Sequence, residues 1–414
     1  MIIALALIFM VPAMALAEKS VDISGTYYMW ALDLENYADF DDSNSADDQA
    51  YFYSKMRVGT TIKPADDITV YWRMDLAEGG WGAGTPNGLQ TPWADDAAGD
   101  DKIQVDYVWA QITKEYGSVR IGHQWFGFGN QINAIMNEGI NVTITPPDMP
   151  FKVNVMYAKL SEGPNAPSAT GTANRTDVTG QQDADFFGLN FNYMNENIGM
   201  FNFFAALTND KALDSDITLL GVQYASQFGP VGINAELNLY GGDVDAVGGA
   251  DFKGQQLFLQ ATMNPTDKIM VAAQLLYAKG YDGANEVQVS TLTNVGDLGA
   301  VSPFDHGIMN TEWPFATTGF EMLGANAGVE ALNFIADFKV AEGILIQASL
   351  GYASPQEDNQ STFDHAIIYN IGATFDIATN TKFGVQYNQM LSDRNTGLSD
   401  DDAKGFMAAL YLNF

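Results

Sequence analysis

Apolar and polar residues alternate with a period of two along most of this chain. Val231, Ile233, Ala235, Leu237 and Leu239 alternate with Gly232, Asn234, Glu236 and Asn238. Successive side chains of a strand point to opposite faces, so such a segment has one apolar and one polar face. The pattern recurs where Ile344, Ile346, Ala348, Leu350 and Tyr352 oppose Gln347, Ser349 and Gly351. It recurs again where Ile367, Tyr369, Ile371, Ala373 and Phe375 oppose Asn370, Gly372, Thr374 and Asp376. Phe187, Leu189, Phe191 and Tyr193, and Ile68, Val70, Trp72, Met74 and Leu76, give two further apolar faces. Each segment runs about 9 to 12 residues, the length of a tilted strand that crosses a bilayer.

Connections between these segments alternate between short and long. Short turns are predicted at Pro64 to Asp67, Tyr116-Gly117, Pro146 to Pro150, Asn195 to Asn197, Gly229-Pro230, Pro265 to Asp267, Ala341 to Gly343 and Ala378 to Asn380. Long loops are predicted at 33–50, 78–101, 124–140, 161–184, 209–215, 241–252, 280–326, 355–364 and 392–402. Eight turns and nine loops imply eighteen strands, with both chain ends on the short-turn side. The predicted fold is therefore all-β: a transmembrane antiparallel up-and-down β-barrel over 18–414, of eighteen strands, with sixteen as the alternative. Lipid offers backbone groups no partners, so the first strand, near Val21 to Leu32, must pair with the last, Ala403 to Phe414.

The ends of the sequence agree with export. Residues 1–17 are apolar and close on Ala15-Leu16-Ala17, a small-x-small cleavage pattern, so a signal peptide is expected there and Glu18 as the first mature residue. No later stretch is continuously apolar over the length of a spanning helix. The chain has no cysteine, which excludes disulfides, thiolate metal sites and covalent c-type haem. Its formal charge of -32 argues against a nucleic-acid partner, because phosphate binding requires a basic surface.

If the apolar face meets lipid, the Asn, Gln, Gly, Thr and Ser of the opposite face form a wetted wall. A barrel of this size leaves a channel unless something fills it. The phase set by neighbouring apolar residues points Lys55, Arg57, Arg73 and Arg120 into the lumen as a basic ladder, with Asp75 and Asp106 close by and Glu138 as an acidic counterpart. Tyr53, Tyr71 and Tyr240 share the inward phase. These charges could simply pair with one another, a reading compatible with a role in selectivity.

Two stretches carry a family resemblance. In the last strand Phe414, Leu412, Leu410, Ala408 and Phe406 share one face and the chain stops on an aromatic residue. The stretch EYGSVRIGHQWFGFGN, Glu115 to Asn130, runs through a turn into a Gly-basic-polar step. Both resemble Gram-negative outer-membrane porins, although His123 stands after Gly122 where those proteins usually have Arg. The resemblance implies that Phe414 is the signal read by the barrel-assembly machinery. It further implies that 124–140 folds inward as the constriction, and that basic wall residues face acidic loop residues across it. It also implies a homotrimer seated in the lipid and lipopolysaccharide of a Gram-negative outer membrane.

The acidic run Asp33 to Asp48 reads as a solvated external surface; divalent-cation binding, calcium above all, is the functional alternative. The loop 280–326, with Phe304, His306, Trp313 and Phe315, is long enough to enter the lumen or cover a neighbour. The three histidines, His123, His306 and His365, show no metal-ligand spacing, and no hydrolase, phosphate-loop or metalloprotease motif occurs. No cofactor and no enzymatic activity are expected. The expected function is passive diffusion of small hydrophilic solutes and ions. Rivals are a channel specific for a carbohydrate or organic acid, and a structural sheath around a partner protein.

Overall fold

The computed structural model describes residues 20–36, 49–81, 104–129, 133–161, 183–211, 215–244, 250–281, 286–288, 327–394 and 401–414. The expected signal segment, most of the acidic run and most of the loop 280–326 lie outside them. The first nine strands are β1 (Ser20–Glu35), β2 (Gln49–Ala65), β3 (Ile68–Trp81), β4 (Gln104–Lys114), β5 (Gly117–Phe128), β6 (Asn133–Ile144), β7 (Phe151–Ser161), β8 (Ala184–Asn195) and β9 (Gly199–Asp210). The next five are β10 (Ser215–Phe228), β11 (Val231–Val244), β12 (Ala250–Thr266), β13 (Ile269–Ala278) and β14 (Glu286–Gln288). The last five are β15 (Val329–Ala341), β16 (Ile344–Ser354), β17 (Phe363–Ala378), β18 (Thr381–Arg394) and β19 (Ala403–Asn413).

All strands but β14 form the wall, each antiparallel to its neighbours, and β13 pairs directly with β15. The wall closes where β1 meets β19, from Thr26↔Asn413 to Glu35↔Lys404. Gly25 and Phe414 complete the seam, each backbone N–H donating to the other's carbonyl, at 2.9 and 3.0 Å. The wall thus has eighteen strands, which settles the count against sixteen. Strand β14 falls within the stretch expected to be the loop 280–326. It runs parallel to Asp251–Lys253 of β12, a position β13 vacates once the β12–β13 ladder ends at Gln256↔Ala278.

The outward face follows the alternation. Leu237 and Leu239 on β11, Leu350 on β16, Ile371 on β17 and Phe406 on β19 are all exposed. The inward face has two zones. Towards the short turns it is a belt of amides, linked around the wall by Gln274 Nε2 to Gln260 Oε1 at 3.2 Å and Asn333 Nδ2 to Gln274 Oε1 at 3.1 Å. Towards the long loops the inner face of β8 to β10 and of β13 to β1 is apolar as well. Phe186 is buried beside exposed Phe187 on β8, and Phe204 is buried beside exposed Phe203 on β9. Two buried clusters line this upper zone, one from Phe126 round to Phe252 and one from Phe258 round to Tyr28 and Trp30. The expectation of a uniformly polar lumen wall is corrected here, because strands with both faces covered read as runs of apolar residues rather than alternation.

Candidate functional site

The expected inward loop at 124–140 is a β-hairpin, a correction to the sequence reading. Strands β5 and β6 pair from Gly117↔Ile144 to Phe128↔Asn133. The ladder of β5 with β4 stops at Val108↔His123, and that of β6 with β7 stops at Glu138↔Lys159. Beyond those rungs, Gln124–Phe128 and Asn133–Asn137 pair only with each other among the described residues. The hairpin leaves the wall there and enters the lumen as a tongue. A self-paired hairpin is what such a segment requires, because its backbone hydrogen bonds travel with it.

Its departure has a local cause. Gly122 and Gly139 are cross-strand partners at the bend. Gly122 has a φ of 129°, and a Cβ there would lie 2.2 Å from the Val108 carbonyl oxygen. No other residue fits that backbone. Fully buried Gln124 then ties the bend, its Nε2 donating to the carbonyl oxygens of Arg120, Gly122 and Gly139 at 3.3, 3.4 and 3.1 Å.

The tongue docks across the inner wall. The Phe128 ring lies 6.0 Å from that of Phe186 on β8 and 5.6 Å from that of Phe204 on β9. A Cβ on Gly188 of β8 would stand 2.6 Å from Phe128 Cζ. At the tip, a Cβ on Gly129 would be 2.2 Å from Oε2 of Glu236, which is buried on β11, six strands away. The Glu236 carboxylate also accepts from Asn238 Nδ2 at 2.9 Å.

Beside the tongue, the inner wall of β2 to β4 carries the basic ladder as one ion network. Arg57 donates to both oxygens of Asp75, Nε to Oδ1 at 2.7 Å and Nη2 to Oδ2 at 2.8 Å. Lys55 Nζ lies 2.8 Å from Asp75 Oδ2. Arg57 Nη2 reaches Asp106 Oδ2 at 3.3 Å, and Arg73 Nε donates to the same oxygen at 2.6 Å. Three cations against two carboxylates leave one net positive charge. Lys55 shares the inward phase of Arg57, and a bulge in the β3–β4 ladder at Arg73/Met74 makes Asp106 an extra residue and turns it towards this cluster.

Arg120 stands apart from the carboxylates. Its Nε donates to Gln111 Oε1 at 2.9 Å, and its guanidinium lies 4.1 Å over the Trp109 ring. Arg73 lies 4.1 Å over Tyr107, and the Tyr71 ring lies tilted 5.3 Å from that of Trp109, so cations and aromatic rings alternate on this wall. Arg120, Lys152, Gln111, Asn141 and Asn154 of the wall and Trp125 of the tongue line a cavity of about 310 Å³ with no acidic residue in its lining.

Among the expected site residues, Lys55, Arg57, Arg73, Asp75 and Asp106 meet in one network on the inner wall, and Arg120 faces the same lumen from β5 without joining it. His123 and Glu138 do not join them. They are cross-strand partners on the face that carries Ile121 and Ile140, both exposed, so they belong to the outward phase at the rung where the tongue leaves the wall. The carboxylates that face the ladder are those of Asp75 and Asp106. Sequence reasoning missed Lys152 and Trp109, although each alternates in phase with inward polar neighbours, Asn154 and Gln111.

Comparison with known proteins places this architecture. A family model described as "Gram-negative porin" matches residues 4–297. No curated protein matches the sequence. Among solved structures the chain is similar to OccAB2 of Acinetobacter baumannii, with a TM-score of 0.59 at 9% identity, covering 95% of this chain and 98% of that one. It is similar to OpdK of Pseudomonas aeruginosa, solved with vanillate, with a TM-score of 0.57 at 10% identity over 95% and 99% of the two chains. It is likewise similar to OccK2 (OpdF) of Pseudomonas aeruginosa in complex with glucuronate, with a TM-score of 0.57 at 10% identity over 95% and 98%. A closed barrel with a tongue-narrowed lumen, matched by that family over most of its length, belongs to the Gram-negative porins and forms a channel for small solutes across the outer membrane.

Proposed function

We propose that this channel selects small organic solutes bearing a carboxylate. The observation that carries the reading is the cavity beside the tongue, where Arg120 and Lys152 meet Trp125 and the amides of Asn141 and Asn154 with no acidic side chain in the lining. A carboxylate passing there meets two cations that no acid of the lining neutralises, and the flat face of Trp125 offers its organic part an apolar surface. A charged ring at a constriction sets selectivity through the field it imposes. The ion network of β2 to β4 extends the positive field along the wall. Vanillate and glucuronate, present in two of the similar structures, both carry a carboxylate.

Ion current through the purified protein in planar bilayers tests this reading. Under a salt gradient the reversal potential is expected to show anion preference. Vanillate and glucuronate are expected to block the current while vanillyl alcohol and glucose leave it unchanged. Cation preference with no block by either acid would sink the proposal in favour of unselective diffusion.

On the family resemblance alone, we propose a homotrimer inserted through the barrel-assembly machinery by its terminal strand, after removal of a signal peptide. The exposed Phe414 ring at the β1–β19 seam is consistent with recognition before the seam closes. Chemical cross-linking of the detergent-solubilised protein tests the trimer. Deletion of Phe414, followed by measurement of membrane insertion, tests the signal.

A further inference from the structure

We infer that Asp364, His365 and Asp393, at the external end of the β17–β18 hairpin, form a binding site for a divalent transition metal of the zinc class. The hairpin turns at Thr379-Asn380 on the short-turn side, so the opposite end of both strands faces the exterior. His365 is the register partner of Asp393. A β-bulge between Phe363 and His365 makes Asp364 an extra residue in the ladder. A bulge re-aims a side chain, and here it brings a second carboxylate to the same imidazole.

The geometry suits a metal. His365 Nδ1 lies 3.3 Å from Asp364 Oδ2 and 4.0 Å from Asp393 Oδ2, and one ligand atom of each residue lies within 4.8 Å of the others. Ligands at zinc bond lengths of about 2.1 Å in a tetrahedron stand about 3.3 to 3.5 Å apart, so only the exposed Asp393 side chain has to move inward. The imidazole stacks on Tyr352 with ring centroids 5.7 Å apart and 27° between planes, which holds the ring with Nδ1 towards the carboxylates. Neither carboxylate has a Lys or Arg within ion-pair distance among the described residues. The neighbouring Arg394 places its guanidinium over the Phe363 ring, 5.3 Å from its centroid.

Donor chemistry selects the metal class. Calcium takes 6 to 8 oxygens and gains nothing from imidazole. A set of one imidazole and two carboxylates suits zinc and its neighbours, and leaves a fourth position to solvent. The site is independent of solute selectivity, because its residues face outwards at the rim and none lines the lumen.

The test is zinc titration of the untagged, folded barrel in detergent by calorimetry, with cobalt(II) absorption as a second readout of ligation. Wild type is expected to bind one strong equivalent. H365A, D364N and D393N are each expected to weaken it at least tenfold, and H306A to leave it unchanged. Retained heat-modifiable gel mobility identifies variants that still fold, and the bilayer current is expected to be unchanged in all of them. Zinc binding by H365A equal to wild type, loss of binding in H306A, or equal displacement of zinc by calcium would overturn the inference.

Discussion

Gly129, at the tip of the tongue, lies against the carboxylate of Glu236 on a strand six places round the wall, with no room for a side chain between them. A side chain at 129 must displace either the Glu236 carboxylate or the tip, and the φ of 59° disfavours it further. G129L is expected to widen the channel and raise single-channel conductance about twofold or more, without loss of the folded barrel on gels. Because the chain has no cysteine, the pair G129C/E236C can also be bridged by a short bifunctional thiol reagent. Bridging is expected to hold current at the narrow level, and unchanged conductance in G129L would mean that the tongue does not limit flow.

Gln124 is the tie at the bend. Its amide Nε2 reaches the carbonyl oxygens of Arg120, Gly122 and Gly139 across the bend, and a buried hydrogen bond lost without replacement costs about 1 to 3 kcal/mol. Q124A is expected to loosen the tongue while sparing the wall. Hydrogen exchange should rise at least tenfold in 124–137 and stay constant in β10 to β12, with added flicker in the current trace.

Buried Asp75 joins two cations, the buried Lys55 and the partly exposed Arg57. Breaking a buried ion pair by removing one partner costs about 3 kcal/mol or more. D75N is expected to lower the urea midpoint by the equivalent of roughly that amount and to shift the reversal potential further towards anions. The double variant K55M/D75N is expected to recover part of the stability.

Arg120 is one of the two cations of the cavity, and R120Q keeps an amide donor for Gln111 while removing the charge. Loss of one such contact is worth about 1.4 kcal/mol, a factor of about ten. The blocking concentration of a carboxylate is therefore expected to rise about tenfold in R120Q, whereas a neutral sugar should pass as before. Equal block of both proteins would place the recognition elsewhere in the lumen.

One pair outside the membrane answers to pH. In the turn between β2 and β3, Asp67 accepts a hydrogen bond from Lys114, and this bond, with the nearby ammonium charge, holds its carboxyl below the usual carboxylate range. A depressed folded pKa contributes stability above the unfolded value of about 3.9, and that contribution is lost as pH falls through the folded value. K114M is expected to return Asp67 to the ordinary range in an NMR titration, and to change nothing at neutral pH beyond the lost pair.

Strand phase, turn positions and closure were legible because lipid outside and water inside write a period of two into each stave. Val231 to Leu239 and Ile367 to Phe375 read the same way in sequence and in structure. The tongue was legible only as a place. Its residues Phe126 and Phe128 pack on the inner wall while Trp125 turns to the lumen cavity, so the face that meets lipid lower down no longer does so, and alternation alone cannot say where a strand leaves its sheet. His123 and Glu138 were placed at the constriction by the family resemblance, whereas their own phase, shared with Ile121 and Ile140, points outwards. The reach of Phe128 to Gly188 and of Gly129 to Glu236 joins residues far apart in sequence, for which local pattern carries no signal.

Among the described residues, the narrowing is made from two staves that carry their own hydrogen bonds inward. Its anchors are all barrel residues: the wall holds the tongue at Gly122 and Gly139 and receives it at Gly188 and Glu236, so the narrowing is fixed from within the barrel.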